Sequence, residues 1–346
     1  MSDDSRPIHV SLLALPEATG TPIHGMYETL TLVDAVAGDE RGIRPKLFEV
    51  EIVGPERGIY NNVFSLPMEV QRSVSDVDQT DMVIMASMLF ENEEWVTGRY
   101  PETVEWLRAM HAGGADLCSA CAGALVLAET GLLDGLEATT HWAFAPTFRR
   151  NFPNVELRVE ELLITTGRNQ ELVMSGAASS WQDLVLYLIA RHASPTAAQA
   201  IGKFLLYQWH RDSQAPYVAF SPPTGHGDAV VRELQTWIED HYTIAAPVEE
   251  MARRSGMPQS SFIRRFRRAT GYTPIQYVQQ LRIEEAKRLL EQTTAPVDEV
   301  GWKVGYEEPA FFRRLFKRTT KLTPREYRQR FRSPAAIGAR EPVGSR

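Results

Sequence analysis

VEEMARRSGMPQSSFIRRFRRATGYTP, residues 248–274, holds two short helical periods separated by a glycine. The first turns Met251 and Ala252 inward, and Ser255-Gly256-Met257 breaks it. Pro258 is expected to open the second helix, where a missing N–H donor costs nothing. Phe262 and Phe266 stand four residues apart on one face, while Arg264, Arg265, Arg267 and Arg268 crowd the others. Residues 297–324, VDEVGWKVGYEEPAFFRRLFKRTTKLTP, repeat the plan, with a turn at Gly305-Tyr306, a helix from Pro309, and Phe312 and Phe316 as the matching pair. Both copies close on Thr-Pro followed by a tyrosine: Thr273-Pro274 with Tyr277, and Thr323-Pro324 with Tyr327. The four phenylalanines, with Trp237 and Trp302, read as core. Duplication in this detail predicts two helix-turn-helix units.

A run of arginines usually means only a solvated helix face. Here the arginines interleave with a hydrophobic pair at helical spacing, and the arrangement occurs twice. The segment Ile275–Gln292 reads as one helix, about 27 Å long at 1.5 Å per residue. Successive major grooves face one side of a duplex about 34 Å apart, so such a rod could set one helix in each. Double-stranded DNA is therefore the expected partner.

Residues 230–332 resemble the AraC/XylS family of transcription regulators, in the tandem turn units, the joining helix LRIEEAKRLLEQT and the closing G-x-T-P. The second copy departs from the family with Lys321 where glycine is usual. The resemblance implies a bacterial regulator that reads direct, asymmetric sites from one polypeptide, works with RNA polymerase and leans toward activation. Aligned on the phenylalanine pairs, Gln259, Ser260, Ile263 and Arg264 in the first unit fall where the family meets base edges. Pro309, Ala310, Arg313 and Arg314 do so in the second. Arg264 and Arg314 could each make the bidentate contact to guanine. Arg267, Arg268, Lys317 and Arg318 are expected to contact phosphate, which positions without reading sequence.

The rest of the chain has the opposite charge. Residues 229–346 carry 22 Lys+Arg against 14 Asp+Glu, whereas residues 1–228 carry 15 against 30, within a net charge of -7. Phosphate would attract the first stretch and repel the second, as suits a sensor joined to a reader. Strands are predicted at Ile8–Leu15, Pro45–Val53, Asp81–Ser87, Ala115–Ala120, Ala138–Thr140, Leu162–Thr165 and Leu172–Ser175. Helices are predicted at Met26–Ala37, Glu102–Ala112, Ala124–Thr130, Ser180–Arg191 and Pro195–Leu206. This alternation predicts an α/β, flavodoxin-like, doubly wound parallel sheet, with an all-α C-terminal domain beside it. The predicted division is a sensor over 1–208, a linker over 209–228, a DNA-binding domain over 229–332 and a disordered tail over 333–346.

Within the sheet domain, ADLCSACAGALVLAETGLLDG places Cys121 on a turn between a strand and a helix. A thiol so placed is expected to be exposed and acidic. Residues 8–192 resemble the class I glutamine amidotransferase-like, PfpI/ThiJ superfamily, through Ser119–Ala128 (SACAGALVLA), Gly131–Gly135 (GLLDG) and Thr139–Trp142 (TTHW). Hydrolytic members commonly have histidine after the cysteine, and here stands Ala122; they also place an acid after the first strand, which neither Glu17 nor Glu28 clearly matches. Three readings of the elbow remain open. Cys121, Ala122 and His141 could line a small-effector pocket, Cys121 could merely fix the turn, or it could be a retained nucleophile. The effector class that the resemblance suggests is a nitrogen-containing metabolite.

The pair Cys118 and Cys121 also fits C-x-x-C, but Cys118 falls inside a strand, which weakens a redox reading. The histidines do not cluster with cysteine or carboxylate at metal-ligand spacing, so no metal and no cofactor is expected. Two cysteines, an acidic polar N-terminus and no long apolar run predict a cytoplasmic protein with no membrane partner. The expectation is a non-enzymatic regulator that dimerises through its N-terminal domain. Its rivals are a cysteine-dependent enzyme carrying a nucleic-acid module and a DNA-coating protein without sequence preference.

Overall fold

The computed structural model describes residues 6–37, 46–90, 94–210 and 213–332. It divides into two compact units, Met1–Gln214 and Ala215–Arg346. The boundary falls inside the stretch predicted as linker. The tail 333–346, expected to be disordered, lies outside the described residues, as does Pro45.

The first unit runs β1 (Ile8–Leu13), α1 (Gly20–Ala37), β2 (Phe48–Gly54), β3 (Gly58–Asn61), β4 (Pro67–Val70), β5 (Arg72–Ser73), β6 (Met82–Met85), α2 (Pro101–Ala112), β7 (Asp116–Ala120) and α3 (Gly123–Glu129). There follow β8 (Glu137–Ala138), α4 (Ala145–Asn151), β9 (Glu156–Leu157), β10 (Leu163–Thr166), β11 (Leu172–Ser175), α5 (Trp181–His192) and α6 (Pro195–Leu205). Seven strands make one sheet in the order β10-β11-β7-β6-β1-β2-β5. Its pairs are parallel except β10 with β11. The parallel sheet predicted from sequence is thus corrected at one edge. Leu163–Thr166 and Leu172–Ser175 are joined by a short turn at Gly167, and only an antiparallel return fits so short a connection.

The strands β6, β7 and β11 are buried at every residue, as strands covered by helices on both faces must be, and β6 is apolar throughout. Chain order reverses between β1 and β6, so the crevice outside their carboxyl ends is where an open α/β sheet binds ligands. The loops after these two strands meet there through an antiparallel bridge between Ala18 and Met88. Helix α1 starts at Gly20, six residues before the predicted Met26, because Pro22 falls in its first turn, where no N–H partner is lost. Gly25 reads as loop but is helical because the Trp181 ring fills the space a Cβ would need.

The second unit is helical: α7 (Ala229–His241), α8 (Pro247–Ser255), α9 (Gln259–Thr270), α10 (Pro274–Gln292), α11 (Val297–Lys303), α12 (Pro309–Thr320) and α13 (Pro324–Phe331). Pro258 is the N-cap of α9, one residue earlier in role than predicted, with extended ψ. Each Thr-Pro is a capping box. Thr273 and Gln276 cap α10, and Thr323 and Glu326 cap α13. The duplication holds at the level of ring geometry. Phe262 meets Phe266 at 5.6 Å and 62°, Phe312 meets Phe316 at 5.8 Å and 62°, and each second ring takes Tyr277 or Tyr327 edge-on at 5.4 Å and 85°. Trp302, predicted as core, is 58% exposed. It follows Val300 and Gly301, the buried pair of its short helix, and so faces outward.

Candidate DNA-reading surface and the Cys121 elbow

Helices α9 and α12 are strongly amphipathic because each packs one face on its phenylalanine pair. That leaves Gln259, Ser260, Arg264, Ala310, Arg313 and Arg314 exposed, and Ile263 and Pro309 half-buried. Arg267, Arg268, Lys317 and Arg318, the expected phosphate contacts, are exposed too, in the last turns of the same helices. Arg313 is held by Asp298 at 2.5 Å in an ion pair half open to solvent. Arg265 is not part of this surface. It makes two bonds to Asp228, at 2.7 and 2.9 Å, while Asp228 also accepts from the Val231 N–H at the start of α7. The guanidinium holds the Asp228 carboxyl down at about 2.

Sequence reading passed over the residues that fix the two helix-turn-helix motifs to each other within the second unit. Arg282, on α10, is buried and donates to the carbonyls of Tyr242 (2.7 Å), Ile244 (2.8 Å) and Gly305 (2.9 Å), with Tyr306 against its guanidinium at 5.0 Å. Desolvation lowers its pKa, and three carbonyls satisfy the charge it keeps. Gly305 must be glycine. Its φ is +87°, and a Cβ would lie 2.7 Å from the Thr243 carbonyl oxygen. Lys287, also buried, donates to the Val218 carbonyl at 2.6 Å and to Glu284 at 2.7 Å. A signal was present: Val278, Arg282, Ala286 and Leu290 follow the i, i+4 stripe of α10, so an arginine stood in an apolar row.

In the first unit the elbow forms as predicted, but its chemistry differs. Cys121 takes φ 56° between β7 and α3, and its N–H donates to the Ser175 carbonyl at 2.7 Å. Gly123 makes the turn possible, since a Cβ there would lie 2.4 Å from the Met85 carbonyl oxygen. The thiol, however, is only 4% exposed, and burial raises its pKa, although Ser87 beside it and the Ala122 N–H oppose that shift. The exposed, acidic thiol expected from the turn is therefore corrected: neighbouring apolar packing outweighs the turn. Cys118 is fully buried, and its thiol is raised well above the usual range by the same cause.

Ala122 is fully buried. His141 Nδ1 accepts from the Ala143 N–H at 3.2 Å and its ring stacks on Trp142, while burial lowers its pKa. Among the described residues no hydrogen bond joins His141 to Cys121. Glu17, in the loop after β1, accepts from Tyr100 at 2.6 Å and pairs with Arg99. An acid is thus present near the crevice, but its described partners are a phenol and a guanidinium.

Paired helix-turn-helix units with solvent-facing arginines define the reading head of a DNA-binding regulator. A family profile described as a helix-turn-helix domain matches residues 251–330. The HTH-type transcriptional regulator CdhR of Pseudomonas aeruginosa is 28% identical over 249 residues, 71% of this chain and 73% of its own length. GlxA of Rhizobium meliloti, also named an HTH-type transcriptional regulator, is 28% identical over 229 residues, 65% of this chain and 68% of its own. Neither alignment could be contained in the unit Ala215–Arg346 alone. A solved ThiJ/PfpI family protein from Pseudomonas syringae covers 72% of this chain and 89% of its own at 16% identity, with a TM-score of 0.48. Residues 251–330 thus form an AraC-type helix-turn-helix domain, and the chain is similar to HTH-type transcriptional regulators well beyond that domain.

Proposed function

We propose that this regulator is effector-responsive: its first unit binds a small metabolite without turning it over, and its second reads a promoter through α9 and α12. The observation that carries the reading is the Arg282 clamp, which makes α9 and α12 parts of one body, so that two groove contacts act together. Arg264 and Arg314 read guanine, with Gln259, Ser260, Ile263, Pro309, Ala310 and Arg313 beside them. Arg267, Arg268, Lys317 and Arg318 hold phosphate. The effector lies at the crevice beside Cys121 and is a nitrogen-containing metabolite. Two copies associate through their first units, and the bound dimer activates RNA polymerase.

The burial of Cys121 favours a binding role over a catalytic one, because a protonated, enclosed thiol is a poor nucleophile. A gel-shift titration of the full chain against its own upstream region and a scrambled duplex tests the reading. Preference for the upstream region supports it, and equal affinity for both abolishes it. A thermal-shift screen of metabolites then identifies the effector, and Cys121→Ala should leave operator binding unchanged.

A further inference from the structure

Gln214, the last residue of the first unit, lies in a stretch that reads as linker, yet it is 1% exposed. Its backbone N–H donates to the Glu160 carbonyl at 2.9 Å. Its Nε2 faces three acceptors: the Thr140 carbonyl at 2.9 Å, the Glu161 carbonyl at 3.3 Å and Thr139 Oγ1 at 3.4 Å. The seat is cut to this side chain, since a Cβ on Gly176 would lie 2.3 Å from Nε2. The amide orientation is settled by chemistry, because rotating it would set Oε1 against carbonyl oxygens.

Two bonds carry this seat to the elbow. Thr140, whose carbonyl receives Gln214, donates its own hydroxyl to the Cys121 carbonyl at 2.9 Å. Gly176, which walls the seat, follows Ser175, whose carbonyl receives the Cys121 N–H at 2.7 Å. The N–H and the carbonyl of Cys121 are thus both held by segments that also bond or wall Gln214. Gln214 Oε1, by contrast, is buried and has no hydrogen-bond partner among the described residues. The donor half of the amide is thus matched and the acceptor half is not, so the seat holds Gln214 less firmly than a fully matched amide would be held.

We propose that Gln214 is a positioning residue that couples the elbow turn at Cys121 to the segment entering the DNA-reading unit. It rests on the reading of the first unit as a sensor. Displacement of the elbow by a bound molecule shifts Thr140 and Gly176, unseats the amide and alters the start of the following segment, Ala215 onward. Unseating also runs the other way, loosening the elbow and admitting reagents to the thiol.

The full chain tests this with Gln214→Met, which keeps the volume and removes the amide, and Gln214→Glu, which sets a carboxylate against three oxygens. Thr140→Val adds a variant that keeps the Thr140 carbonyl but removes the hydroxyl bond to Cys121. Iodoacetamide labelling of Cys121, resolved from Cys118 by fragment mass spectrometry, reads the elbow. Output from its own promoter fused to a reporter reads the coupling. The expected result is labelling several-fold faster in Gln214→Met and faster still in Gln214→Glu, with reporter output changed several-fold and in one direction. Thr140→Val should move both readouts the same way, and it decides the matter if either Gln214 variant fails to fold. Wild-type behaviour of Gln214→Met in both assays would mean that the residue only fills space, and would overturn the proposal. A change in only one assay would overturn the coupling. If the wild-type chain shows no promoter preference, the regulator reading itself fails, and the labelling arm still judges the link between Gln214 and Cys121.

Discussion

Arg282 Nη1 donates to the Gly305 carbonyl at 2.9 Å, tying the connecting helix to the turn of the second helix-turn-helix unit. Its other nitrogens hold Tyr242 and Ile244, in the loop before the first. One planar, permanently charged fork thus spans both units, a geometry a lysine ammonium cannot reproduce. Arg282→Met should lower stability by about 2 kcal/mol, because partly buried carbonyls lose a charged donor. Arg282→Lys should rescue little of it. Chemical denaturation gives the stability, and operator affinity should fall further than the stability loss explains, since the two reading helices no longer act as one body. Unchanged stability in Arg282→Met would show the fork to be redundant.

Base reading and phosphate holding separate in a salt titration. Arg264→Ala or Arg314→Ala should each cost about 1–3 kcal/mol of discrimination at one guanine position. Lys317→Ala should weaken binding to every sequence alike and reduce the salt slope by about 1. Asp298→Ala frees Arg313 from its ion pair and should raise affinity for nonspecific DNA modestly. Intact sequence preference in Arg314→Ala would place a different face of α12 in the groove.

Much of this was legible in the chain. The repeat at 248–274 and 297–324 specified helices α9 and α12 because phenylalanine pairs, turn glycines and Thr-Pro caps recur together, and local chemistry of that kind survives folding. The strands at β6, β7 and β11 were legible too, within a residue or two of their observed bounds. What escaped was set by packing between distant residues. Helix α1 begins before the predicted Met26 and runs through Gly25, which leaves room for the Trp181 ring, a contact no local pattern predicts. Cys121 forms an elbow from local sequence, yet its burial comes from the whole domain around it. Trp302 read as core on composition alone, but its helix is too short to bury more than Val300 and Gly301. Gln214 looked like linker because polar residues surround it.

Asp228 should mark the acid limit of the reading unit. Its carboxyl is depressed from an ordinary 3.8 to about 2, first by the bond from Arg265. A carboxyl held below its unfolded value stabilises the fold above the ordinary carboxylate range. That contribution fades as pH falls from about 4 and is gone below about 2. Asp228→Asn should keep the cap on α7 but flatten the acid dependence over that window. Asp228→Ala should lose the cap as well, at about 1 kcal/mol. Thermal melts between neutral pH and the acid limit distinguish the two, and identical acid profiles in wild type and Asp228→Asn would assign the limit to another group.

Lys321 ends α12 in the left-handed region, with φ 61°, where Gly271 ends α9 with φ 78°. The two caps are otherwise alike. Thr270 and Thr320 donate to the Phe266 and Phe316 carbonyls, each at 2.9 Å. A β-carbon in this conformation costs about 1–2 kcal/mol, partly offset because glycine makes the unfolded chain freer by about 0.4–1 kcal/mol. Lys321→Gly should therefore stabilise the second unit by about 0.5–1 kcal/mol, whereas Lys321→Ala, which keeps the β-carbon, should not. Denaturant titration of the full chain, following the transition of the helical unit, reads the difference. Equal stability in the glycine and alanine variants would mean that the β-carbon carries no net cost at this cap.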